Sequence, residues 1–380
     1  MRVLSVICAA VASAMLGGAA LAQSGEPIPV LVSIPITGPV ASFGEHSRWG
    51  FELAFAETNA AGGIAGRPIE ADYEDNRCNP AEGVKSVTQA LSQKDYVTVL
   101  DGLCSSATLA IMPVIERANI PMITANSSAT AIAEQSGVGG NNWMFKVNPA
   151  DGGLTEAIVA WLEKEGKAEN IALLAEDTDF GRAGADGFTA ALGKRNLKLA
   201  AIEYYQQGTA EFTGVLTKLR ALDPNAIALY SVAADFQNLI RQYFSMGMKT
   251  PLTGRLLLND VPEEIMKRGA LDGTTTVQPY TIEIETDAND KFVAAFEAMH
   301  SVKPNLLSFE SYETGLVLAD AMKRAASIDP AAIRDAIETT SFTSILGTKI
   351  EFDDHHLAHN NAVILRVTDG KVQVLGFSGT

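Results

Sequence analysis

The chain has 380 residues, 47% of them hydrophobic, with 45 acidic against 29 basic side chains and a formal net charge of -16. Such an excess of negative charge repels nucleic acid and anionic membrane surfaces, so neither is expected as a partner. Length and apolar content together suffice for two ordinary α/β cores.

At the N-terminus, Met1 and Arg2 precede the apolar stretch VLSVICAAVASAML and small residues ending in Ala20, Leu21 and Ala22. A basic start, an apolar run shorter than the roughly 20 residues of a spanning helix, and a small-x-small site read as a secretory signal peptide. The mature start is expected at Gln23, and a soluble secreted protein follows. Cys8 lies inside the apolar run rather than at the cleavage site, which argues against a lipid anchor. Cys78 and Cys104 then remain in an oxidising compartment, and a pair is what one disulfide requires. The alternative, a nucleophilic Cys104, needs a positioned base, and His46, His300, His355, His356 and His359 all lie far from it in sequence.

Past the signal, short β-branched runs alternate with amphipathic helical segments, the pattern of a mainly parallel sheet covered on both faces. PVLVSIPIT is a strand, and EHSRWGFELAFAETNAAGG is a helix with Trp49, Leu53, Ala56 and Ala60 on one stripe, stopped by Gly62 and Gly63. Strand PIEADYED, a helix from Pro80 to about Gln93, strand VTVLDG, a helix from about Ser105 to Ala118 and strand IPMITA complete one doubly wound half. Near FKVNPADGG the rhythm restarts. A helix carrying Leu154, Ile158, Trp161 and Leu162 is followed by strand NIALLA and a helix after FGRAG. Strands KLAAIEYY and NAIALYS follow, then a helix whose stripe is Phe236, Leu239, Ile240 and Tyr243. Two helices, within ANDKFVAAFEAMH and ESYETGLVLADAMKRAAS, have no new strand between them and are expected to cover an existing sheet. The end is β again, TKIEFD and then AVILRVTDGKVQVLGF, with Asp369-Gly370 as a hairpin turn.

Chemistry concentrates where these strands end. Ser105 and Ser106 stand between a strand and a helix, where free N–H groups, the helix dipole and short hydroxyls make a carboxylate site. Plain N-capping is the competing reading. Asn126, Ser127 and Ser128, in ANSSAT, end the next strand and are placed to converge on the same anion at the cleft of an open α/β sheet. AEDTDFG offers Asp177, Asp179 and Phe180 behind NIALLA; Asp-Thr-Asp as a divalent-cation site is the alternative to a loop presenting Phe180 to a ligand. Tyr230 closes another strand at that edge, as a ligand contact or as a core tyrosine. NAAGGIAG follows a helix and precedes a strand, the wrong order for a phosphate loop. No GxSxG elbow occurs, and DDHHLAH lies in a polar loop between terminal strands, so neither a catalytic residue, a metal nor a cofactor is expected.

The segments ITGPVASFG, NAAGGIAGRPIE, YEDNRCNPAEGV and GLCSSAT, in this order and spacing, resemble the periplasmic leucine/isoleucine/valine-binding proteins of ABC importers. The similarity spans the mature chain and weakens after about residue 250. It implies a type I periplasmic binding fold: two doubly wound α/β lobes with mainly parallel sheets, joined by three hinge crossings near Val147, Val277 and Thr348. Lobe one would then comprise 23–147 and 278–347, and lobe two 148–277 and 348–380. The resemblance also implies a Cys78–Cys104 disulfide at the pocket rim, Phe43 covering the ligand (against a core phenylalanine), and carboxylate contacts from Ser105 and the ANSSAT segment. ANSSAT departs from the family's Gly-Ala-Thr pattern and is one residue longer. Leu256, in TPLTGRLLLND, stands where the amino-acid binders carry the glutamate that meets the ligand ammonium. Either a nearby acid such as Asp177, Asp235 or Asp260 has taken over that contact, or the ligand has no ammonium; an aromatic or 2-oxo acid is slightly favoured over a branched-chain amino acid. The implied partner is a membrane permease, the protein itself a monomer. A secreted enzyme built on Asp177 and Asp179 or on the histidine loop, and a ligand sensor for a membrane receptor, are the rival functions.

Overall fold

The computed structural model describes residues 25–258, 261–358 and 361–379; the signal-peptide residues, Asp260 and His359 lie outside them. The first half alternates as expected: β1 (Ile28–Ile34), α1 (Ala41–Ala60), β2 (Ile69–Asp75), α2 (Pro80–Gln93), β3 (Thr98–Asp101) and α3 (Ser105–Ala118). Then come β4 (Met122–Thr124), the short α4 (Thr130–Glu134) and β5 (Met144–Lys146). These strands form one all-parallel sheet in the order β2-β1-β3-β4-β5. Central strands are buried on both faces, which is why β1 and β3 read as continuous apolar runs rather than alternating ones. The register carries Ser33, Asp101 and Thr124 to one edge, so the loops that follow β1, β3 and β4 open on the same side.

Lobe two repeats the plan with α5 (Asp151–Lys164), β6 (Ile171–Glu176), α6 (Asp179–Gly193), β7 (Ala201–Tyr205), α7 (Thr213–Ala221), β8 (Ala226–Tyr230), α8 (Ala233–Ser245) and β9 (Leu252–Arg255). Its parallel order is β7-β6-β8-β9. Helix α6 starts before FGRAG rather than after it, because the Thr178 hydroxyl accepts the Gly181 N–H and caps the helix there. After α9 (Glu263–Lys267), β10 (Thr275–Gln278) lies beside β9 through side chains. The Thr276 hydroxyl donates to Gly254 O at 2.7 Å and accepts from Leu256 N at 3.0 Å.

Helices α10 (Asp287–His300), α11 (Leu306–Ala325) and α12 (Pro330–Glu338) follow with no strand between them. Helix α11 packs along α1, where a Cβ on Gly50 would come within 2.2 Å of Ser308 O, so only glycine permits the approach. Phe309 and Tyr312 of α11 join Phe292 and Phe296 of α10 in a core shared with lobe two. The chain ends with β11 (Phe342–Thr343), β12 (Lys349–Ile350), β13 (Asn361–Thr368) and β14 (Lys371–Gly379). Strands β13 and β14 form the expected hairpin, with φ of 49° at Asp369 and 67° at Gly370, and β13 runs antiparallel to β10.

The last return to lobe two comes later than Thr348. Ile350 and Ala358 are buried in the lobe-one core, and residues 356–358 pair along β5 through Lys146 N to His356 O and Ala358 N to Lys146 O. Unfilled edge positions of β5 explain this: the 353–358 loop satisfies backbone groups that would otherwise end the sheet exposed.

Candidate functional site

The two sheets face each other across a cleft of about 720 Å³, measured to its mouth. From lobe one it is lined by Phe43, the Cys78–Cys104 pair, Leu103, Ser105, Ser106, Asn126, Ser128 and the first turns of α11; from lobe two by Glu176, Thr178, Phe180, Ser231, Arg255 and Leu256. Cys78 and Cys104 are joined, with Cα atoms 5.3 Å apart, and tie the loop after β2 to the start of α3. Cys104 is thus a staple rather than a free thiol.

Cys104 O accepts from both Ala107 and Thr108, so the first-turn N–H groups of Ser105 and Ser106 precede the helical ladder at the cleft. Their hydroxyls already have acceptor roles: Ser105 Oγ takes the Ala129 N–H at 3.2 Å, and Ser106 Oγ takes the Asp179 N–H of lobe two at 3.2 Å. Each retains its O–H proton for an anion. The Ser106 bond crosses between lobes. Leu103, just before this turn, has φ of 86°, a strained backbone at the rim of the site.

The ANSSAT segment has a different job from the one expected. Asn126 lines the cleft, but its Oδ1 accepts from Ser47 and Ser311 and its Nδ2 donates to Leu307 O and to Glu310 Oε2 at 3.0 Å. Ser128 donates to Asp151 Oδ2 at 2.9 Å. Ser127 is corrected: it lies behind the wall, paired with the Thr108 hydroxyl, while its carbonyl accepts from Lys146. These short polar chains hold β4 to α1, α3, α5 and α11 because a buried strand end must satisfy its own polar atoms.

On lobe two, Phe180 and Leu256 line the cleft as expected, whereas Asp177 and Tyr230 do not. Asp177 turns outward to Arg182 and to Gln206 Nε2. Tyr230 is fully buried beneath Phe180, with ring centroids 5.2 Å apart, against the backbone of Gly184. It packs in the core, since the inward-facing side of a parallel strand is packed rather than solvated, but its hydroxyl makes no hydrogen bond. Asp235 is committed to the Gly208 N–H at 2.7 Å.

Three charged residues reach the cleft that sequence reasoning missed. Arg255, at the end of β9, pairs with the fully buried Asp151 at 2.8 Å and lies over Phe180, 6.0 Å from its centroid. Glu310, in the first turns of α11, is wholly buried; burial pushes its carboxyl up, against the pull of Asn126, Arg255, Lys146 and the Asn148 amide. Its Oε1 makes no hydrogen bond. Burial pushes the neighbouring Lys146 down, and its ammonium donates to Ser127 O and Asn148 Oδ1. Glu176 closes β6, accepts the Thr178 hydroxyl at 2.8 Å, and is pushed up to about 7 by burial, with the Asp235 carboxylate adding to the shift. The available signal was a charge inside an apolar run: Glu176 ends IALLAE, and Glu310 stands in LLSFESYETG.

Asp177 faces away from the cleft, and His356 is stacked on Phe145 at 4.1 Å with Nδ1 bonded to Met144 O. Among the described residues no group of three His, Cys, Asp or Glu side chains is placed to hold a metal, and no helix is long and apolar enough to cross a membrane.

The sequence profile of the periplasmic binding protein family matches residues 27–371. A leucine-, isoleucine-, valine-, threonine- and alanine-binding protein of Pseudomonas aeruginosa is 23% identical over 343 residues, 90% of this chain and 90% of its own length. An amino acid binding protein of the same organism is 28% identical over 330 residues, 84% of each chain. Among solved structures, a solute-binding protein of an ABC transporter from R. palustris, in complex with benzoate, is similar at TM-score 0.83 and 20% identity, over 93% of this chain and 97% of that one. Two parallel-sheet lobes enclosing a lined cleft, and a profile match along nearly all of the described residues, lead to one conclusion: the chain belongs to the periplasmic binding protein family, as a type I solute-binding protein of an ABC transporter.

Proposed function

We propose that this protein captures a small carboxylate with an aromatic or otherwise apolar body, and delivers it to the permease of an importer. The observation that carries the reading is the pair of serine hydroxyls at the α3 N-terminus, each accepting one backbone N–H and keeping its own proton to donate, facing walls built from Phe43, Leu103, Phe180 and Leu256. Helix-end N–H groups and hydroxyls bind a carboxylate, and the apolar walls gain from burying a ring or branched chain. The benzoate held by the R. palustris protein is a ligand of this class.

Closure is expected about hinges near Val147 and Val277 and a third crossing that follows the lobe-one segment ending at Ala358, with Ser106 to Asp179 as one contact of the closed form. We further propose secretion with cleavage after Ala22 and action as a monomer without cofactor. A second reading, an apolar amino acid, is favoured by Glu310 Oε1, a buried acceptor at the cleft without a hydrogen bond, which an ammonium would fill. Calorimetric titration of ligand-stripped protein with benzoate, phenylpyruvate, leucine and phenylalanine separates the two. Binding of the acids alone supports the carboxylate reading; micromolar leucine binding with no response to the acids replaces it with the second. Recovery of altered ligand would instead expose an enzyme.

A further inference from the structure

We propose that Glu176 reads a hydrogen-bond donor on the ligand, which narrows the ligand class to carboxylic acids carrying a hydroxyl or amine remote from the carboxylate. The inference rests on the carboxylate reading of the cleft and adds a second polar pole to it. Glu176 is 3% exposed, yet its side chain lines the cleft on the lobe-two side, whereas the serine hydroxyls belong to lobe one. Oε1 is occupied by the Thr178 hydroxyl; Oε2 is buried without a hydrogen bond.

The two buried acids of the cleft differ in what surrounds them. Glu310 accepts from Asn126 and feels the cations Lys146 and Arg255. Around Glu176, hydrogen bonding from the Thr178 hydroxyl and the Val232 N–H draws the carboxyl down and the carboxylate of Asp235 pushes it up, with no cation among them. Oε2 is already out of contact with water, so a wholly apolar ligand leaves it unpaired, whereas a donor-bearing ligand that reaches it adds the missing hydrogen bond. The position is also rigid. A Cβ on Gly181 would lie 1.9 Å from Glu176 O, so the first turn of α6 rests directly on this backbone and only glycine permits it. A fixed, buried, unpaired acceptor in a binding cleft discriminates strongly, because an analogue lacking the matching donor leaves it unsatisfied.

Calorimetric titration of ligand-stripped protein with benzoate, 3-hydroxybenzoate, 4-hydroxybenzoate and 4-aminobenzoate tests this, with Glu176→Met and Glu176→Gln in parallel. At least one donor-bearing acid should bind wild type about tenfold or more tighter than benzoate. That margin should shrink to within about threefold in Glu176→Met and persist in part in Glu176→Gln, whose amide oxygen still accepts. Equal wild-type affinities for benzoate and all three derivatives would overturn the proposal while leaving the carboxylate reading intact, and this arm needs no variant to fold. A margin that survives in Glu176→Met would overturn it too. If none of the four acids binds and leucine does, the carboxylate reading itself has failed.

Discussion

The two walls of the cleft are built on opposite plans. Lobe one presents, beside the single buried acid Glu310, short neutral donors on a braced backbone: Ser105 and Ser106 at a helix end, next to a disulfide, with Asn126 binding α1 and α11. Lobe two presents longer, ionisable and aromatic side chains, Glu176, Arg255 and Phe180, each supported by one or two partners. Helix-end N–H groups and hydroxyls carry no net charge, so the α3 end of the first wall avoids the desolvation cost of an ion when the cleft closes. On the second wall charges must be compensated individually, and so that wall is where ligands can be told apart. Lobe one is therefore suited to holding the group common to a ligand class, lobe two to choosing among its members.

That contrast breaks most visibly at Arg255. Arg255→Met would leave Asp151, buried and otherwise held only by Ser128 on its second oxygen, without its cation. A loss of about 3 to 5 kcal/mol in denaturant unfolding is expected, as for removal of one partner of a buried pair. A loss below about 1 kcal/mol would mean that Lys146 takes over the compensation. On lobe one the corresponding brace is the disulfide. With a separation of 26 residues, replacing Cys78 and Cys104 by alanine should cost about 3.5 kcal/mol in the chain-entropy account. Thiol titration of denatured, unreduced protein should find neither cysteine reactive.

Ser105→Ala sharpens the comparison at the grip itself. Carboxylate affinity should fall by on the order of 1.5 to 3 kcal/mol in calorimetry, and apo stability by about 0.5 to 1.5 kcal/mol because the Ala129 N–H loses its acceptor. Equal losses in both would reduce Ser105 to a structural cap. The smallest effect is a pH dependence on lobe two. Glu176 titrates near 7 in the folded protein against 4.5 as its ordinary value, so below pH 4.5 both states hold the proton and the group is neutral to stability. Between 4.5 and 7 the unfolded chain releases its proton first, and the folded state loses stability as pH rises. Glu176→Gln should thus stabilise apo protein by on the order of 1–2 kcal/mol at pH 8 and by nothing at pH 4. A gain independent of pH would refer the effect to packing instead.

Much of this architecture was legible in advance. Alternating strand and helix periods predicted two doubly wound halves, the Ser105–Ala118 helix begins at the expected serine, and Asp369-Gly370 makes the expected turn. Cys78 and Cys104 are joined as the resemblance implied. Less legible was which side of a strand end faces the cleft. Ser127 and Ser128 are adjacent, yet one lies behind the wall and the other on it, since successive residues of extended chain point opposite ways.

Local pattern by itself determined the elements, because hydrophobic period, caps and turn residues act over a few residues of chain. It determined the compartmental logic of the cysteines and the anion-ready end of α3 for the same reason. Tertiary structure alone decided the polarity of the site. Glu176, Arg255 and Glu310 come from two strands of one sheet and a helix far along the chain, and Asp177 and Tyr230 were turned away from a cleft that they flank in sequence. Burial, ion pairing and the state of a carboxyl group depend on neighbours that meet only when both lobes have folded, and no window of sequence contains them.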